Sequence, residues 1–377
     1  MKKNRILFYM AFGLFMISSV FELTTWSMDL VGNSTPFAQL LKYVRYIAYI
    51  LCILKISIKK SYKRKDIIII FFSYILLLAS YFGCLNKTMV LYMLLVISAE
   101  DIEVKDILLI AVSIQSIILS LMVFLSQMGI IEDYIRDPNI RPRHFLGFIW
   151  TSMGPYLYFF IVLEIILLKK EKVSRIFYFM LWAIEYWFYM MTDSKMAFML
   201  TSVVLAFFAF FRKKINKGIL LKKIEGESII IPYIVAAFSI MIHWLYTDNN
   251  IILNKLNTML SGRLQLGYQA IKEYGVTLWG QPIEWIGYSR IEELRGAYNY
   301  VDSSYVRLML EFGLIFLILV VAAYGIILKR AIKNKDFYLA WVVIFVLIFN
   351  VTEPRLINLT FNPFILLVFN NTNALKQ

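Results

Sequence analysis

Long apolar runs follow one another along almost the whole chain. Twelve can be delimited in the 377 residues, and most approach the ~20 residues that a helix needs to cross the hydrocarbon core of a bilayer. Backbone polar groups find no water there, so such runs must be helical or be enclosed by protein. The sequence therefore predicts an all-α, polytopic integral membrane protein with about 12 transmembrane helices and a single membrane domain, residues 1–377. The runs cover approximately residues 6–23, 37–54, 67–83, 88–99, 107–128, 145–168, 176–191, 196–211, 229–246, 305–328, 337–351 and 356–369.

The composition excludes a soluble domain. The chain is 60% hydrophobic and only 17% charged, which lies outside the usual range of globular proteins. The net charge of +14 does not indicate nucleic-acid binding, because the basic residues form short clusters beside apolar runs. Cys52 and Cys84 fall in or near such runs, so no disulfide framework can be recognised. The charged and apolar N-terminal stretch predicts an uncleaved first helix, because no small-residue cleavage site follows it.

The basic residues also predict the orientation. When the N-terminus is placed in the cytoplasm, 25 of the 39 Lys and Arg residues fall on the inner side and 11 on the outer side, as the positive-inside rule requires. Both termini are then cytoplasmic, provided that the short fourth run spans the membrane. The one long polar loop, residues 247–303, is extracytoplasmic and lies between the ninth and tenth runs.

Three shorter outer segments place charges at the ends of apolar runs. They read IRDPNIRPRHFLGF before the sixth run, MTDSKM between the seventh and eighth, and TEPRLIN between the last two. A charge close to hydrocarbon is costly unless it is paired or faces water, so such residues are candidates for a site. Headgroup anchoring or helix capping is the alternative, and anchoring is favoured for Arg136, Arg290 and Arg295. The candidates are Arg141, Arg143, His144, Asp193, Lys195, Glu353 and Arg355.

The long loop contains two further candidates. Ser261 is predicted to cap a helix that ends at Gly275, and the apolar stripe of this helix suits the bilayer surface. Arg263 falls in its first turn, where the charge opposes the helix dipole, and an anionic ligand would relieve that conflict. Asp302 precedes the tenth run. Its position is explained equally well by catalysis or by helix capping through Asp302 or Ser303.

The segments RPRHFLGF, TDSK, SGRLQLGYQAIKEYGVTLWGQ, VDSSYVRLMLEFGLI and TEPRLINLTFNPFILL occur in this order over the second two-thirds of the chain. In this order they resemble the bacterial O-antigen and capsular polysaccharide polymerases of the Wzy type, within the O-antigen ligase superfamily. The SGRL and DSSY segments are the most specific pair. The resemblance implies a GT-C-like fold in the cytoplasmic membrane. It also implies transfer of a growing glycan from undecaprenyl diphosphate onto a lipid-linked repeat unit at the outer face.

The resemblance also implies roles and partners. Asp302 and Arg263 are the expected catalytic residues, with Asp302 or Glu353 as the base that accepts a proton from the acceptor hydroxyl. The partners are an undecaprenyl-diphosphate-linked oligosaccharide, the lipid bilayer and a chain-length regulator protein. No metal and no cofactor is expected, and no glycine loop for a nucleotide is present. The residues expected to bind diphosphate or glycan are Arg141, Arg143, His144, Lys195, Glu353 and Arg355.

Two departures from the family pattern keep alternatives open. Lys195 stands where many relatives have Arg, which keeps the charge but loses the bidentate fork. Asp302 and Ser303 stand where ligases carry His-Asn, which favours a polymerase over a ligase. A transporter is the alternative from a different functional class, and it would place broken helices and buried charge at mid-depth. A dolichol-phosphate-type transferase is disfavoured, because the first outer loop offers only Asp29.

Overall fold

The computed structural model describes residues 2–28, 34–58, 64–137, 139–219, 221–287 and 298–370. In this part the chain is almost entirely helical. A two-stranded antiparallel ribbon, β1 (Ile135–Arg136) and β2 (Arg143–His144), pairs Ile135 with His144 and Arg136 with Arg143. The helices are α1 (Lys2–Phe21), α2 (Pro36–Ile58), α3 (Arg64–Cys84), α4 (Thr88–Ser98), α5 (Val104–Gln127), α6 (Met153–Lys169), α7 (Arg175–Thr192), α8 (Lys195–Asn216), α9 (Ile231–Trp244), α10 (Ile251–Met259), α11 (Arg263–Tyr274), α12 (Ser304–Glu311), α13 (Leu314–Lys333) and α14 (Phe337–Phe349).

The prediction of an all-α membrane protein is confirmed in its coarse form. Seven helices are long and apolar enough to cross a membrane, and two apolar helices, α4 and α14, are shorter. The fourth run is indeed a helix of only 11 residues. The seven cover Asn4–Phe21, Pro36–Ile58, Ile67–Cys84, Val104–Gln127, Lys195–Asn216, Glu227–Trp244 and Leu314–Lys333.

Helices α6 and α14 form the centre of the bundle. Both are apolar on every side, which is the pattern of a helix that is buried all round, and most of their residues are buried. They run antiparallel: Phe159 of α6 stacks on Phe349 of α14 at 4.1 Å between ring centroids, and Lys170 pairs with Asp336 at their other ends (3.2 Å). The start of α6 and the end of α14 therefore lie together.

Contacts between loops define two ends of this bundle. The basal end brings the N-terminal region together with the loops that were predicted to be cytoplasmic. The site end, where α6 starts and α14 ends, collects the outer segments. The basal contacts are Arg5 with Glu103 (3.1 Å), Lys55 with Asp101 (2.5 Å), Lys170 with Asp336 (3.2 Å) and Asn370 Nδ2 with Ile102 O (2.5 Å).

The tenth apolar run is not one helix, contrary to expectation. It divides into α12 and α13 at Gly313, whose φ is +93°. A Cβ at Gly313 would lie 2.4 Å from Gly280 N and 2.5 Å from Leu278 O. The backbone of the long loop therefore passes directly against the break, and only glycine allows both the approach and the dihedral angle.

The twelfth run, residues 356–369, was expected to be a membrane-spanning helix, and this prediction is wrong. The segment consists of turns and a short 3₁₀ helix, Pro363–Leu367. Pro363 lacks an N–H, and the Asn362 side chain bonds the backbone at Phe364 N (3.3 Å) and Leu356 O (2.7 Å). We call residues 356–369 the interior segment. Its apolar side chains are largely buried, and irregular backbone is tolerated at membrane depth when protein surrounds it.

Candidate functional site

Arg263 forms the centre of a polar cluster at the site end. Its Nε lies 3.1 Å from Asp302 Oδ2, and its Nη1 lies 2.7 Å from Glu353 Oε1. Nη1 also donates to Thr352 O (2.8 Å), and Nη2 donates to the Tyr156 hydroxyl (3.3 Å). Tyr156 in turn donates to Glu353 Oε1 at 2.5 Å. Four segments that are distant in sequence thus meet at one guanidinium.

Helix α11 carries Arg263 into this position. The predicted apolar stripe is confirmed, since Leu264, Gly267, Ala270 and Ile271 are the buried residues of the helix. The stripe packs against protein, however, and not on the bilayer surface. A Cβ at Gly267 would lie 2.2 Å from the His243 ring of α9, so α11 is fixed by close contact.

The start of α11 differs from the expectation. Gly262 with φ +84° is the N-cap residue, and Ser261 itself adopts a positive φ of +57° without capping the helix. The anion expected near Arg263 is supplied by the protein, because both Asp302 and Glu353 contact its guanidinium. The conflict between Arg263 and the helix dipole is therefore relieved internally.

The capping alternative is met by Ser303, the neighbour of Asp302. Ser303 is the N-cap of α12 and accepts from Val306 N, so Asp302 is not needed for capping. Ser304 and Asn350 then fix the turn that carries Glu353. The Ser304 hydroxyl bonds Glu353 O (2.7 Å) and accepts from Leu356 N (3.1 Å), and Asn350 Oδ1 accepts from Arg355 N (2.9 Å).

Burial governs the electrostatics of the cluster. Burial raises the pKa of Glu353 to about 7, against the lowering influence of Arg263. Burial likewise raises the pKa of Asp302, although Arg263 and Arg355 act against it. Burial alone would lower the pKa of Arg263, but Glu353 and Asp302 raise it well above its usual value. The Glu353 side chain is 1% exposed, whereas that of Asp302 is 17% exposed. Asp302 is therefore the more exposed of the two carboxylates.

A cavity of about 210 Å³ adjoins the cluster on the side of Arg355. The Arg355 guanidinium lies over the rings of Phe361 (4.6 Å) and Tyr156 (5.9 Å), and its buried Nε has no hydrogen-bond partner. Among the described residues, no carboxylate lies within ion-pair distance of it. Arg355 is thus a buried cation at the wall of the cavity. Polar and aromatic side chains line the rest, including Asn86, Thr88, Tyr92, Tyr300, Arg307, Glu311 and Asn358.

The remaining predicted site residues lie around the turn between α7 and α8. Arg141 pairs with Asp193 of this turn, and Arg143 Nε donates to Thr192 O (3.0 Å). His144 contacts Asp133 across the ribbon (2.6 Å). Lys195, the first residue of α8, is exposed.

These four residues belong to a second polar group that borders the first. Burial lowers the pKa of Arg143, with Arg136 and Arg141 adding to the effect and Tyr156 opposing it. Tyr158 contacts Phe188 (5.4 Å between ring centroids), so the start of α6, which carries Tyr156, and the end of α7, which carries Thr192, lie on the same side of the bundle. Arg136 stacks on Trp150 (5.3 Å). Arg290, Arg295 and Asp29 lie outside the described residues.

Several polar residues of the bundle were not expected from the sequence. Tyr156 lies within an apolar run, where an aromatic residue cannot be distinguished from core. Glu164 and Glu185 are also buried inside the bundle. These two were recognisable, because each is an acidic residue within an apolar run and intramembrane acids are functional candidates by default.

Comparison of the chain with protein-family models, with curated proteins and with solved structures found no match. The fold and the geometry of the site are therefore the basis for a functional assignment.

Proposed function

We propose that the chain is a glycosyltransferase of the O-antigen and capsular polysaccharide polymerase type. It transfers a growing glycan from undecaprenyl diphosphate to a lipid-linked repeat unit at the outer face of a bacterial cytoplasmic membrane. The observation that carries this proposal is the cluster of Arg263, Asp302 and Glu353 beside Arg355 and its cavity. It combines a partly buried and a buried arginine with carboxylates of unequal exposure, at one end of a bundle with membrane-length apolar helices.

The reaction needs a base, and Asp302 suits this role. The carboxylate takes the proton of the acceptor hydroxyl while that oxygen attacks the anomeric carbon of the donor sugar. Arg263 holds Asp302 through its Nε (3.1 Å). Glu353 and Tyr156 occupy the buried side of Arg263 and fix its orientation. Because burial raises the pKa of Asp302, its carboxylate is a stronger base than an exposed aspartate.

The bond from the anomeric carbon to the diphosphate breaks in the same step, and negative charge builds on the departing group. Arg355 suits the stabilisation of this charge, because it lines the cavity and no carboxylate among the described residues lies within ion-pair distance of it. Preorganised cationic donors in a water-poor site are worth about 10²–10³ in rate. In this proposal Arg355 binds the diphosphate more closely than Arg263 does, since Arg263 is already neutralised by two carboxylates.

The acceptor has a route to the same place. A wider groove of about 820 Å³ begins at Asn86, Thr88 and Glu311, which also line the smaller cavity. Its hydroxyl, amide and carboxylate groups suit the hydrogen bonding of a sugar. In this proposal the acceptor oligosaccharide lies in the groove, and the donor diphosphate lies at Arg355.

Reconstitution tests the proposal. The purified protein in vesicles receives one lipid-linked repeat unit as both donor and acceptor, and the products are separated by length. Lipid-linked oligomers should form with the wild type and not with D302N, and R355Q should form them about 10²–10³-fold more slowly. R45K, which alters the Arg45–Glu22 pair elsewhere at the site end, is the matched control. Elongation by D302N at the wild-type rate would exclude Asp302 as the base. A requirement for a second acceptor would indicate a ligase.

Transport is the second candidate function, and specific observations favour it. The buried Glu164 and Glu185 and the irregular interior segment are features that a transporter predicts. Transport of lipid-linked oligosaccharide across the vesicle bilayer without elongation would support this function and contradict the first.

The detailed topology is part of the proposal. We infer twelve segments that pass alternately between the two ends, with the interior segment as the last and with the site end outside. Single-cysteine variants test the orientation in a background that lacks Cys52 and Cys84. An impermeant thiol reagent applied to intact cells should label N249C of the long loop and leave K172C unlabelled. The reverse pattern would refute the orientation.

A further inference from the structure

Helix α10 of the long loop carries apolar side chains on its free surface. Ile251, Ile252 and Met259 are 84%, 78% and 65% exposed. No other large apolar side chain in the described part of the loop is as exposed. Single apolar residues are common on protein surfaces, but a group of them on one short helix indicates a surface that is covered by a partner or by lipid. Nothing in the proposed transfer reaction uses these three residues.

The opposite side of α10 is held by the protein. Leu253 and Leu256 pack against the apolar cluster at the end of α9 and the start of α11. Asn257 is buried between the same elements. Its Nδ2 donates to the Tyr246 hydroxyl (3.1 Å), and its Oδ1 accepts from Gln265 N (3.1 Å). These contacts fix the rotation of α10, so the exposed side chains cannot turn inward.

The exposed surface of α10 has an apolar edge and a polar edge. Residues three, four or seven apart lie on the same side of a helix. Ile252 and Met259 therefore share one edge, and Lys255 lies between them. Asn254 and Thr258 share the other edge. The first edge suits hydrocarbon, because a lysine beside apolar residues can extend its ammonium group to the lipid headgroups. The second edge suits water.

Helix α9 connects this apolar edge to the membrane. It forms the end of Glu227–Trp244, which is long and apolar enough to cross a bilayer. Trp244 is exposed, and tryptophan is enriched where hydrocarbon meets the headgroups. The chain turns at residues 246–250 and then enters α10. An exposed apolar stripe on α9 therefore leads to α10 at the level of the headgroups. The stripe consists of Ile234, Phe238, Met241 and Leu245.

We propose that α10 is an interfacial helix that binds the bilayer leaflet at the site end. Ile251, Ile252 and Met259 insert among the acyl chains, and Lys255 contacts the lipid phosphates. Lipid is the occupant because the apolar edge follows directly on the lipid-facing stripe of α9. The sequence predicts this position for α11. That helix packs on protein instead, and α10 makes the contact with the bilayer.

The lipid contact also supports the segment that carries Arg263. Asn257 of α10 bonds the backbone on both sides of this arginine: its carbonyl accepts from Gly262 N (2.9 Å), and its side chain accepts from Gln265 N (3.1 Å). The start of α11 is therefore tied to α10. A bilayer that holds α10 in place holds this start as well.

Fluorescence quenching by lipid tests the proposal without any transfer reaction, so the result does not depend on the proposed function. In the background that lacks Cys52 and Cys84, a nitrobenzoxadiazole label is attached to I252C or to N254C. Each protein is then placed in vesicles of phosphatidylethanolamine and phosphatidylglycerol. Lipids with brominated acyl chains should quench the I252C label, whose emission should also shift to shorter wavelength. N254C is the matched control on the same helix, and its label should be quenched by iodide in the water.

M259C and T258C provide a second pair, which should show the same difference. Equal quenching of the two labels of each pair by brominated lipids would overturn the proposal, and so would equal access of iodide to both. Shielding of the I252C label from iodide that increases with the density of protein in the vesicles would identify a second copy of the chain as the occupant. That result would also overturn the proposal.

Discussion

Removal of the Arg263 side chain tests the reasoning about the cluster most directly. Arg263→Ala leaves Glu353, which is 1% exposed, and Asp302, which is 17% exposed, without their shared cation. Removing one partner of a buried ion pair costs about 3–5 kcal/mol, because an uncompensated charge remains. We expect a loss of stability of this size at pH 8 and an inactive protein.

The loss should depend on pH in a defined direction. Both carboxyls can take up protons when Arg263 is absent, and the charge that causes the loss then disappears. Each pH unit over which one carboxyl differs in protonation is worth about 1.4 kcal/mol. The deficit of Arg263→Ala should therefore be smaller at pH 5 than at pH 8. Addition of Glu353→Gln should recover part of it at pH 8.

The assay is thermal unfolding of the purified protein in detergent at both pH values. Arg45→Ala is the matched control, because its partner Glu22 is 44% exposed, and an exposed ion pair is worth about 0–1 kcal/mol. An Arg263→Ala deficit that is the same at pH 5 and pH 8, and that Glu353→Gln does not reduce, would refute the electrostatic account of the cluster.

Three further predictions follow from other contacts. Because the folded-state pKa of Glu353 is raised to about 7, wild-type stability should fall by up to about 3 kcal/mol as the pH rises from about 4.5 to about 7, and Glu353→Gln should remove this dependence in thermal unfolding. Gly267→Ala places a Cβ 2.2 Å from the His243 ring and should cost about 1–3 kcal/mol, whereas Gly13→Ala, with nothing within 4 Å, should be neutral or stabilising in the same assay. Arg355→Gln should lower the rate of oligomer formation about 10²–10³-fold in vesicles, and an unchanged rate would exclude Arg355 from the reaction.

The sequence was sufficient for the features that depend on local composition. Helix α5 was predictable from its own residues, because its apolar run is continuous and no other segment is needed to define it. The break between α12 and α13 was not predictable, since it depends on the approach of Gly280 to Gly313 across the fold. Hydropathy predicts a helix for the interior segment, because it does not distinguish contact with lipid from contact with protein.

The residues of the candidate site were likewise predictable only where a local feature of the sequence marks them. Arg263 and Asp302 could be identified as candidates from the sequence. The charge of Arg263 is costly at the start of a helix, and that of Asp302 is costly at a membrane boundary. The ion pair between Arg263 and Asp302 could not be predicted, because it requires α11 to pack on α9. Tyr156 carries no such signal, since its hydroxyl is hidden in an apolar run. Its role follows only from the contact between the start of α6 and the end of α14.

The shortness of α14 explains why a polar site can exist at this place. Its 13 residues span about 20 Å, less than the ~30 Å of a hydrocarbon core. Glu353 and Arg355 follow immediately and are therefore recessed among the neighbouring helices. The chain that continues from them consists of turns and a short 3₁₀ helix, so side chains of other helices satisfy part of its backbone.

Tyr324 and Gln115 provide this satisfaction from α13 and α5. The Tyr324 hydroxyl donates to Leu356 O (2.7 Å), and Gln115 donates to Thr360 O (2.9 Å). Such bonds are worth more inside the bundle than in water, because a lost partner there is not replaced by solvent. The position of Arg355 thus depends on polar groups far from the cavity. Substitutions at Tyr324 and Gln115 should therefore reach the site through the backbone of the interior segment, without contact with any substrate.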